Sequence, residues 1–308
     1  MRNAEAMTAR RPAAEDIKYY ELYERTAAGL SVSNGLSGPA AAAEARLILE
    51  KAAGHDFSKI MGLMWRETAG SEVIEIVREI MQKRAAFEPI QYILGEAEFY
   101  GLRFFVTKDT LIPRHDTECV AEAAIKSAAG IYSANGGKRP ARILDIGTGS
   151  GAIAIAAAVT LGEKASVTAV DISRGALECA KKNAEANGAG VVVRFVESDL
   201  FGALDEGEKF DVIVSNPPYI SESEYATLAP EVKLEPKTAL TADNDGYAFY
   251  ESIAREAKSH LADGGVLIFE IGCAMASGVI KTGLANGFIK HEMIYDIESR
   301  DRGIKFWR

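Results

Sequence analysis

Histidine and cysteine are scarce in this 308-residue chain, which has four histidines and three cysteines. Cys119, Cys179 and Cys273 lie far apart, and the histidines form no cluster, so neither residue type has the spacing of a metal site. Isolated thiols are typical of proteins in a reducing compartment. The sequence therefore predicts no bound metal, and it predicts ordinary buried thiols in a cytoplasmic protein.

Long apolar runs and an excess of positive charge are also missing. No apolar stretch approaches the roughly 20 residues that a membrane-spanning helix needs. The first residues lack the apolar core of a signal peptide, so we expect a soluble protein that is not secreted. The formal net charge of −9 argues against a long basic surface for duplex DNA, and direct nucleic-acid binding is not expected.

The chain is long enough for two domains with buried cores. Amphipathic spacing at residues 41–53 and 73–80 predicts helices near the N-terminus, whereas strand and helix patterns alternate in the last two thirds. That alternation predicts an α/β fold with a doubly wound, mostly parallel sheet. The predicted segments are a disordered extension (1–15), a helical N-terminal domain (16–88), a β-hairpin linker (89–110) and the α/β domain (111–308).

A glycine-rich turn follows the short β-type run at residues 142–146. It consists of Gly147, Thr148, Gly149, Ser150 and Gly151. The apolar residues after it predict a buried helix, so the three segments form the first βα unit of a doubly wound sheet. Glycines let the backbone approach a ligand, and N–H groups at the helix start are free to bind it. The turn therefore predicts a binding site for a nucleoside-type ligand.

Asp171 ends the second predicted strand, 20 residues beyond Gly151. This is the spacing expected for a carboxylate that binds ribose hydroxyls. The turn itself also matches a dinucleotide fingerprint, so NAD and other nucleosides both remain open at this point. A Walker loop is excluded, because no Lys-Ser or Lys-Thr follows the glycines.

Three features favour S-adenosylmethionine over NAD. Asp145 precedes the first glycine by two residues, where its carboxylate can reach a cationic aminoacyl group. The compact glycine turn needs no pyrophosphate opposite it. The third predicted strand, at residues 191–196, is followed by Asp199 and Leu200, an acid beside an apolar residue that can bracket an adenine.

The tetrapeptide Asn216, Pro217, Pro218 and Tyr219 follows the apolar run 210–215, which predicts a buried strand. Open α/β sheets bind their ligands at the carboxyl ends of such strands. Asn216 offers a side-chain carbonyl, Pro217 a backbone carbonyl on a chain with restricted φ, and Tyr219 a flat ring. These groups suit a planar NH2 group, either an amide or an adenine amine. Alternatively, the prolines only end the strand and begin a turn.

Together these motifs resemble the class I methyltransferases of the amino-group type, and more narrowly the protein-(glutamine-N5) methyltransferases of peptide-chain release factors. Residues 111–118 are similar to that family's Pro-Arg-Pro-Glu-Thr-Glu motif, with His115-Asp116 in place of Pro-Glu. Other segments that carry the resemblance are 89–95, 99–101, Glu235-Pro236, Ala239-Leu240, Asp245-Gly246, Asp296 and 300–302.

The resemblance implies methyl transfer from S-adenosyl-L-methionine to the N5 atom of a glutamine in the Gly-Gly-Gln loop of a release factor. It implies catalytic roles for Asn216, Pro217 and Tyr219, and a substrate site formed by these residues and Pro218. Cofactor binding is expected from Gly147, Thr148, Gly149, Ser150, Gly151, Asp171, Asp199, Leu200 and Asn216.

Other functions fit part of the pattern. Adenine-N6 methylation of DNA or RNA uses the same type of tetrapeptide, with the ring of Tyr219 stacking on a flipped base. A nicotinamide oxidoreductase fits the glycine turn but leaves the tetrapeptide without a task, and a non-catalytic S-adenosylmethionine-binding protein is a fourth possibility. Residues 221–244 are a long irregular stretch that predicts a lip over the substrate groove.

Overall fold

The computed structural model describes residues 16–308, and the predicted disordered extension lies outside these residues. The chain divides into two compact units, Met1–Leu94 and Gly95–Arg308. Among the helices of residues 16–308, none has the length and apolar character needed to cross a membrane.

The first unit is helical, as the amphipathic spacing predicts. Pro39 lies in the first turn of its second helix, and left-handed glycines end the first two helices. A buried ion pair joins Glu44 to Arg84, with 2.5 Å between Oε1 and Nε. The helices are α1 (Tyr19–Asn34), α2 (Gly38–Ala53), α3 (Phe57–Lys59, continued by a π-helical turn at Ile60–Met64), α4 (Ser71–Ala85) and α5 (Ile90–Leu94).

The β-hairpin begins later than the sequence predicted. Residues 90–94 form the short helix α5, and the hairpin consists of β1 (Glu96–Phe99) and β2 (Leu102–Phe105). Gly95, with a φ of +80°, separates helix and strand. The turn lies at Tyr100 and Gly101, and both have the positive φ that a tight two-residue hairpin turn requires.

The second unit contains a seven-stranded sheet with the order β5-β4-β3-β6-β7-β9-β8. Strands β3 to β7 are parallel to one another, and β9 is antiparallel to both β7 and β8. The predicted doubly wound, mostly parallel sheet is therefore confirmed. The strands are β3 (Ala141–Ile146), β4 (Ala165–Asp171), β5 (Val193–Glu197), β6 (Phe210–Ser215), β7 (Leu261–Glu270), β8 (Lys290–Tyr295) and β9 (Asp301–Trp307).

Helices cover both faces of this sheet. Alternate residues of β3 belong to two different cores: Ile143 faces the core formed with α6 and α7, and Leu144 faces the core formed with α11 and α12. Burial on both faces explains why the strands are apolar throughout. The helices of this unit are α6 (Glu118–Ala134), α7 (Ala152–Leu161), α8 (Arg174–Ala186), α9 (Glu222–Tyr225), α10 (Lys237–Leu240), α11 (Ala248–His260) and α12 (Ala276–Ala285).

Helix α6 contains Gly130 and continues beyond it to Ala134. A glycine inside a helix costs only about 1 kcal/mol, and the side chains of Ile131 and Tyr132 beyond it pack on the core. The stretch 221–244 is less irregular than expected, because it contains α9 and α10.

The chain reverses its direction of strand addition between β3 and β6. Strands β4 and β5 lie on one side of β3, and β6 and β7 lie on the other. Ile146 and Ser215, the last residues of β3 and β6, are paired in register, and Ser215 Oγ donates to the Ile146 carbonyl at 2.8 Å. Two of the predicted functional segments therefore leave the sheet side by side, at the position where doubly wound sheets bind ligands.

Candidate active site

A cavity of about 760 Å³ opens where β3 and β6 end. Its volume is in the range of small-molecule and cofactor sites. Residues that follow four parallel strands line it, as do residues of the segments 109–117 and 236–243. The predicted site residues that line it are Gly147, Thr148, Gly149, Ser150, Asp171, Asp199, Leu200, Asn216, Pro217 and Pro218.

The glycine turn is fixed against β4 by backbone hydrogen bonds. The N–H groups of Gly147 and Thr148 donate to the Val170 carbonyl at 2.9 and 3.0 Å. Gly151 does not line the cavity; its φ is +84°, and a Cβ there would lie 2.7 Å from Cδ1 of Ile155. Gly151 therefore serves the close packing of the turn onto α7.

Asp171 links the glycine turn to the following segment. Its Oδ2 accepts the N–H of Gly149 and its Oδ1 accepts the N–H of Ser173, both at 2.8 Å. Burial raises the pKa of this carboxyl, although the backbone hydrogen bonds act against that increase. Each oxygen keeps a lone pair for a further donor, so the carboxylate is able to accept hydroxyl groups in the cavity.

Asp145 is a buried carboxyl in the cavity wall, with 1% of its surface exposed. Its Oδ2 accepts the hydroxyl of Thr148 at 2.7 Å and the N–H of Ala154 at 3.2 Å. Its Oδ1 has no hydrogen-bond partner among residues 16–308. Burial raises the pKa of Asp145 to about 7. An unpartnered carboxyl oxygen here fits the cationic aminoacyl group of S-adenosylmethionine.

The segment after β5 turns sharply into the cavity. Leu200 has a φ of +49°, a left-handed conformation that costs a branched residue roughly 1–3 kcal/mol. Ser198 holds the turn, because its hydroxyl donates to the Leu200 carbonyl at 2.8 Å and accepts the N–H of Ala203 at 3.0 Å. This turn places Asp199 and Leu200 in the wall where an adenine ring was predicted to lie.

Within the tetrapeptide, Asn216 is half-buried and Pro217 is buried, and both line the cavity. Tyr219 is not part of the lining; its half-buried ring packs on the core formed with α11 and α12 and lies beside Gly272. Burial holds the pKa of the Tyr219 phenol well above its usual value. The stacking of Tyr219 on a substrate remains a prediction.

Gly246 supports the tetrapeptide from the far end of the 221–244 stretch. Its φ is +88°, and a Cβ on it would lie only 2.2 Å from the backbone oxygen of Tyr219. No side chain fits so close to a backbone atom, so glycine is required at this position.

Residues 111–117 and 236–243 form one wall of the cavity, and the second segment belongs to the stretch 221–244 that was predicted to form a lip over the substrate groove. Glu235 is buried and joins its two segments: Oε2 accepts the N–H of Ile112 at 3.0 Å, and Oε1 accepts from the guanidinium of Arg114. The sequence did not predict this contact. Glu235 and Arg114 both belong to segments that resemble family motifs, but neither segment by itself indicates which residue it contacts.

This chain has His115-Asp116 where the family motif has Pro-Glu, so residue 116 still carries a carboxylate. Asp116 pairs with Arg302 at 2.7 Å, and Arg302 also contacts Asp296 at 3.2 Å. His115 Nδ1 lies 3.0 Å from the carboxylate of Glu118 at the start of α6. The terminal motif around Asp296 therefore buttresses this segment.

Comparisons with known proteins identify the family. Residues 129–243 match the model of the methyltransferase small domain, and residues 34–95 match that of the PrmC N-terminal domain. The chain is 46% identical over 230 residues to a release factor glutamine methyltransferase of Fusobacterium nucleatum, a match that covers 74% of this chain and 62% of the relative. A release factor glutamine methyltransferase of Chlorobaculum tepidum is 44% identical over 237 residues, with 75% and 78% covered.

Solved structures agree in fold. The catalytic domain of hMettl16, crystallised with MAT2A 3'UTR hairpin 1, has a TM-score of 0.52 and 18% identity, with 77% of this chain and 79% of that chain covered. This likeness shows the methyltransferase fold of the second unit and nothing narrower. From the sequence matches, the chain belongs to the release factor glutamine methyltransferases, a family of S-adenosyl-L-methionine-dependent enzymes.

Proposed function

We propose that this protein methylates the side-chain amide nitrogen of a glutamine in a peptide-chain release factor, in its Gly-Gly-Gln loop. The observation that carries the proposal is the pairing of Ile146 with Ser215. Because of this pairing, the glycine turn and Asn216 begin at adjacent points and line one cavity. Cofactor-binding and substrate-binding groups then lie within reach of each other.

The chemical difficulty is that an amide nitrogen is a poor nucleophile, because its lone pair is delocalised into the carbonyl. S-adenosyl-L-methionine, when bound, supplies an activated methyl group on a sulfonium. Asn216 Oδ1 and the Pro217 carbonyl accept the two N–H groups of the substrate amide. They orient its lone pair and stabilise the positive charge that develops on nitrogen. The N–CH3 bond forms as the S–CH3 bond breaks, and S-adenosylhomocysteine is the leaving group. No base is required first, because the N–H becomes acidic as the new bond forms and its proton then passes to water.

The carboxylates around the cavity bind S-adenosyl-L-methionine. Asp145 pairs with a cationic group through its unpartnered Oδ1. Asp171 accepts ribose hydroxyls, and Asp199 and Leu200 flank the adenine. Each lost charge-assisted hydrogen bond is expected to weaken binding by about 1.5–3 kcal/mol. Changes at these positions are thus expected to raise the Kd for S-adenosyl-L-methionine more than they lower turnover.

We also place the reaction in the cytoplasm, with a protein as the partner. The thiols of Cys119, Cys179 and Cys273 are all free. A net charge of −9 disfavours a nucleic-acid substrate, which attracts proteins through its phosphates.

The test is a transfer assay with methyl-labelled S-adenosyl-L-methionine and a purified release factor. The label is expected on the wild-type release factor and not on a variant whose Gly-Gly-Gln glutamine is replaced by glutamate. DNA and RNA are offered in parallel reactions. Label on adenine, with none on the release factor, would establish the adenine-N6 alternative instead.

The Asn216→Ala variant is expected to lower kcat by about a hundredfold, the typical cost of removing one group that stabilises transition-state charge. Its Kd for S-adenosyl-L-methionine, measured by calorimetry, should stay within about threefold of wild type, which is below 1 kcal/mol. Asn135→Ala, at the end of α6 and outside the cavity lining, is the matched control. Unchanged turnover in Asn216→Ala would remove this residue from the mechanism.

A further inference from the structure

Two buried polar side chains lie directly behind Asn216. Ser215 of β6 pairs with Phe269 of β7, so that Asn216 and Glu270 occupy adjacent positions at the carboxyl ends of these strands. Thr117 reaches the same place from the turn before α6. Thr117 is 5% exposed and Glu270 is 2% exposed. Two polar groups buried this deeply need a reason, because burial of a polar group costs free energy unless it is hydrogen-bonded.

One hydrogen bond and one polar contact link the three side chains into a chain. Asn216 Nδ2 donates to Thr117 Oγ1 at 3.4 Å, a long hydrogen bond. The Thr117 side chain interacts with the Glu270 carboxyl and acts to lower the pKa of that carboxyl. The Oε2 atom of Glu270 has no partner within the described part of the chain.

The direction of this chain determines which end of the Asn216 carboxamide faces away from Thr117. An ionised Glu270 has no proton to give, so the Thr117 hydroxyl must donate to it. The Thr117 oxygen then accepts, and only the NH2 end of the Asn216 carboxamide can donate to it. The carbonyl end, Oδ1, is thereby held on the opposite side.

We propose that Thr117 and Glu270 are positioning residues that set the orientation of the Asn216 carboxamide for methyl transfer. The inference rests on the proposed function, in which Oδ1 of Asn216 accepts an N–H of the substrate amide. Without the chain, the two ends of the carboxamide are nearly equal in shape, and the reversed orientation presents an NH2 group that repels the substrate N–H.

Protonation of Glu270 reverses the donor and acceptor roles between Glu270, Thr117 and Asn216. A neutral Glu270 donates to Thr117, whose own proton then points to Asn216 and favours the carbonyl end there. Burial raises the pKa of Glu270 to about 7, against the opposing effects of Thr117, Arg302 and Arg114. The other titratable groups that face Glu270 are Asp116, Cys119, Tyr219 and Tyr250. The carboxyls of Asp116 and Glu270 repel, which also favours the neutral form.

The activity test compares Thr117→Val, which keeps the shape and removes the hydroxyl, with Thr117→Ser, which keeps the hydroxyl. We expect kcat to fall about tenfold in Thr117→Val, with KM for both substrates unchanged, and to return to near the wild-type value in Thr117→Ser. Thr168→Val, a buried threonine of β4 outside the cavity lining, is the control and should keep kcat. Equal kcat in Thr117→Val and wild type would overturn the proposal.

The pH profile tests Glu270. Wild-type kcat should fall as the pH drops through neutrality, and in Glu270→Gln this acid limb should be absent, with a kcat about tenfold lower at pH 8. A purely structural role for Glu270 would lower the melting temperature and leave the acid limb in place.

A readout that does not need activity separates this proposal from the proposed function. In asparagine-selective 15N-labelled protein, the Nδ2 resonances of Asn216 are assigned by their loss in Asn216→Ala. They should titrate near neutral pH in wild type, shift in Thr117→Val and stop titrating in Glu270→Gln. If release factors are not methylated but these shifts occur, the positioning chain stands and the proposed substrate fails. If the Asn216 Nδ2 resonances are the same in both variants as in wild type, Thr117 and Glu270 do not position Asn216.

Discussion

Asp145 combines deep burial with a carboxyl oxygen that no group in residues 16–308 satisfies. At the scale of one residue, burial of an unpartnered carboxylate oxygen is unfavourable, and a bound cation would offset this cost. Its raised pKa of about 7 means that the ligand-free protein holds a proton here at mildly acidic pH. Folding stability from this group is greatest below about pH 4, the unfolded value, and is lost as the pH rises through about 7.

Binding of a cationic ligand should therefore release this proton. We expect the affinity for S-adenosyl-L-methionine to rise as the pH increases from 6 towards the pKa of about 7, and to level off above it. Calorimetry at pH 6 in two buffers of different ionisation enthalpy measures the release. In Asp145→Asn the release should disappear. Equal binding heats for the wild type in both buffers would contradict a neutral Asp145.

Tyr219 tests whether a ring or a hydroxyl matters. Its ring packs on the core beside Gly272, and its phenol stays protonated because burial raises its pKa. Tyr219→Phe keeps the ring and should keep most activity. Tyr219→Ala removes the packing of the ring on the core. The variant should lose more than tenfold in kcat/KM, because this packing no longer fixes the position of the tetrapeptide. If the two variants were equally impaired in the transfer assay, the hydroxyl would be the essential group.

At the scale of elements, Glu235 ties the segment before α10 to the segment before α6. It is buried and accepts hydrogen bonds from Ile112 and Arg114. Residues of both segments line the cavity. Loss of the charge should loosen that wall, because the guanidinium of Arg114 then has no carboxylate to pair with.

We predict that Glu235→Gln lowers the free energy of unfolding by about 2 kcal/mol, the cost of breaking a buried charged hydrogen bond. Urea unfolding measures this, and limited proteolysis should cut residues 221–246 faster. Glu222→Gln is the control: its pair with Lys237 is exposed, and its loss should cost less than about 1 kcal/mol. Equal destabilisation in the two variants would mean that Glu235 does not hold the wall.

At the scale of the whole molecule, the residues that line the cavity all fall within the unit Gly95–Arg308. The seven-stranded sheet and its two cores also belong to this unit. Its own packing therefore forms the cavity in which we propose that S-adenosyl-L-methionine binds.

We predict that a fragment of residues 95–308 folds and binds S-adenosyl-L-methionine with a Kd within about threefold of the full chain, below 1 kcal/mol. Circular dichroism checks folding, and calorimetry measures the Kd. A folded fragment that fails to bind would show that residues before 95 contribute to the cofactor site. The same fragment in the transfer assay shows whether those residues affect KM for the release factor.

Local patterns in the sequence determined the α/β architecture, the family, and the glycine turn, Asp171 and Asn216 as neighbours at one sheet edge. Each depends on a strand followed at once by a few residues, and parallel strands place their carboxyl ends together. The start of the hairpin was predicted wrongly because a single short turn of helix has too few residues to show a period.

Only the tertiary structure decided which distant residues meet. Thr117 contacts Asn216 across 99 positions, and Ile112 contacts Glu235 across 123. Tyr219 packs on the core beside Gly272 for the same kind of reason. Such contacts depend on how segments pack after the sheet has formed, and no periodicity or spacing along the chain encodes them. The contacts that orient the Asn216 carboxamide therefore depend on the folded molecule, whereas its position at the end of β6 follows from the sequence.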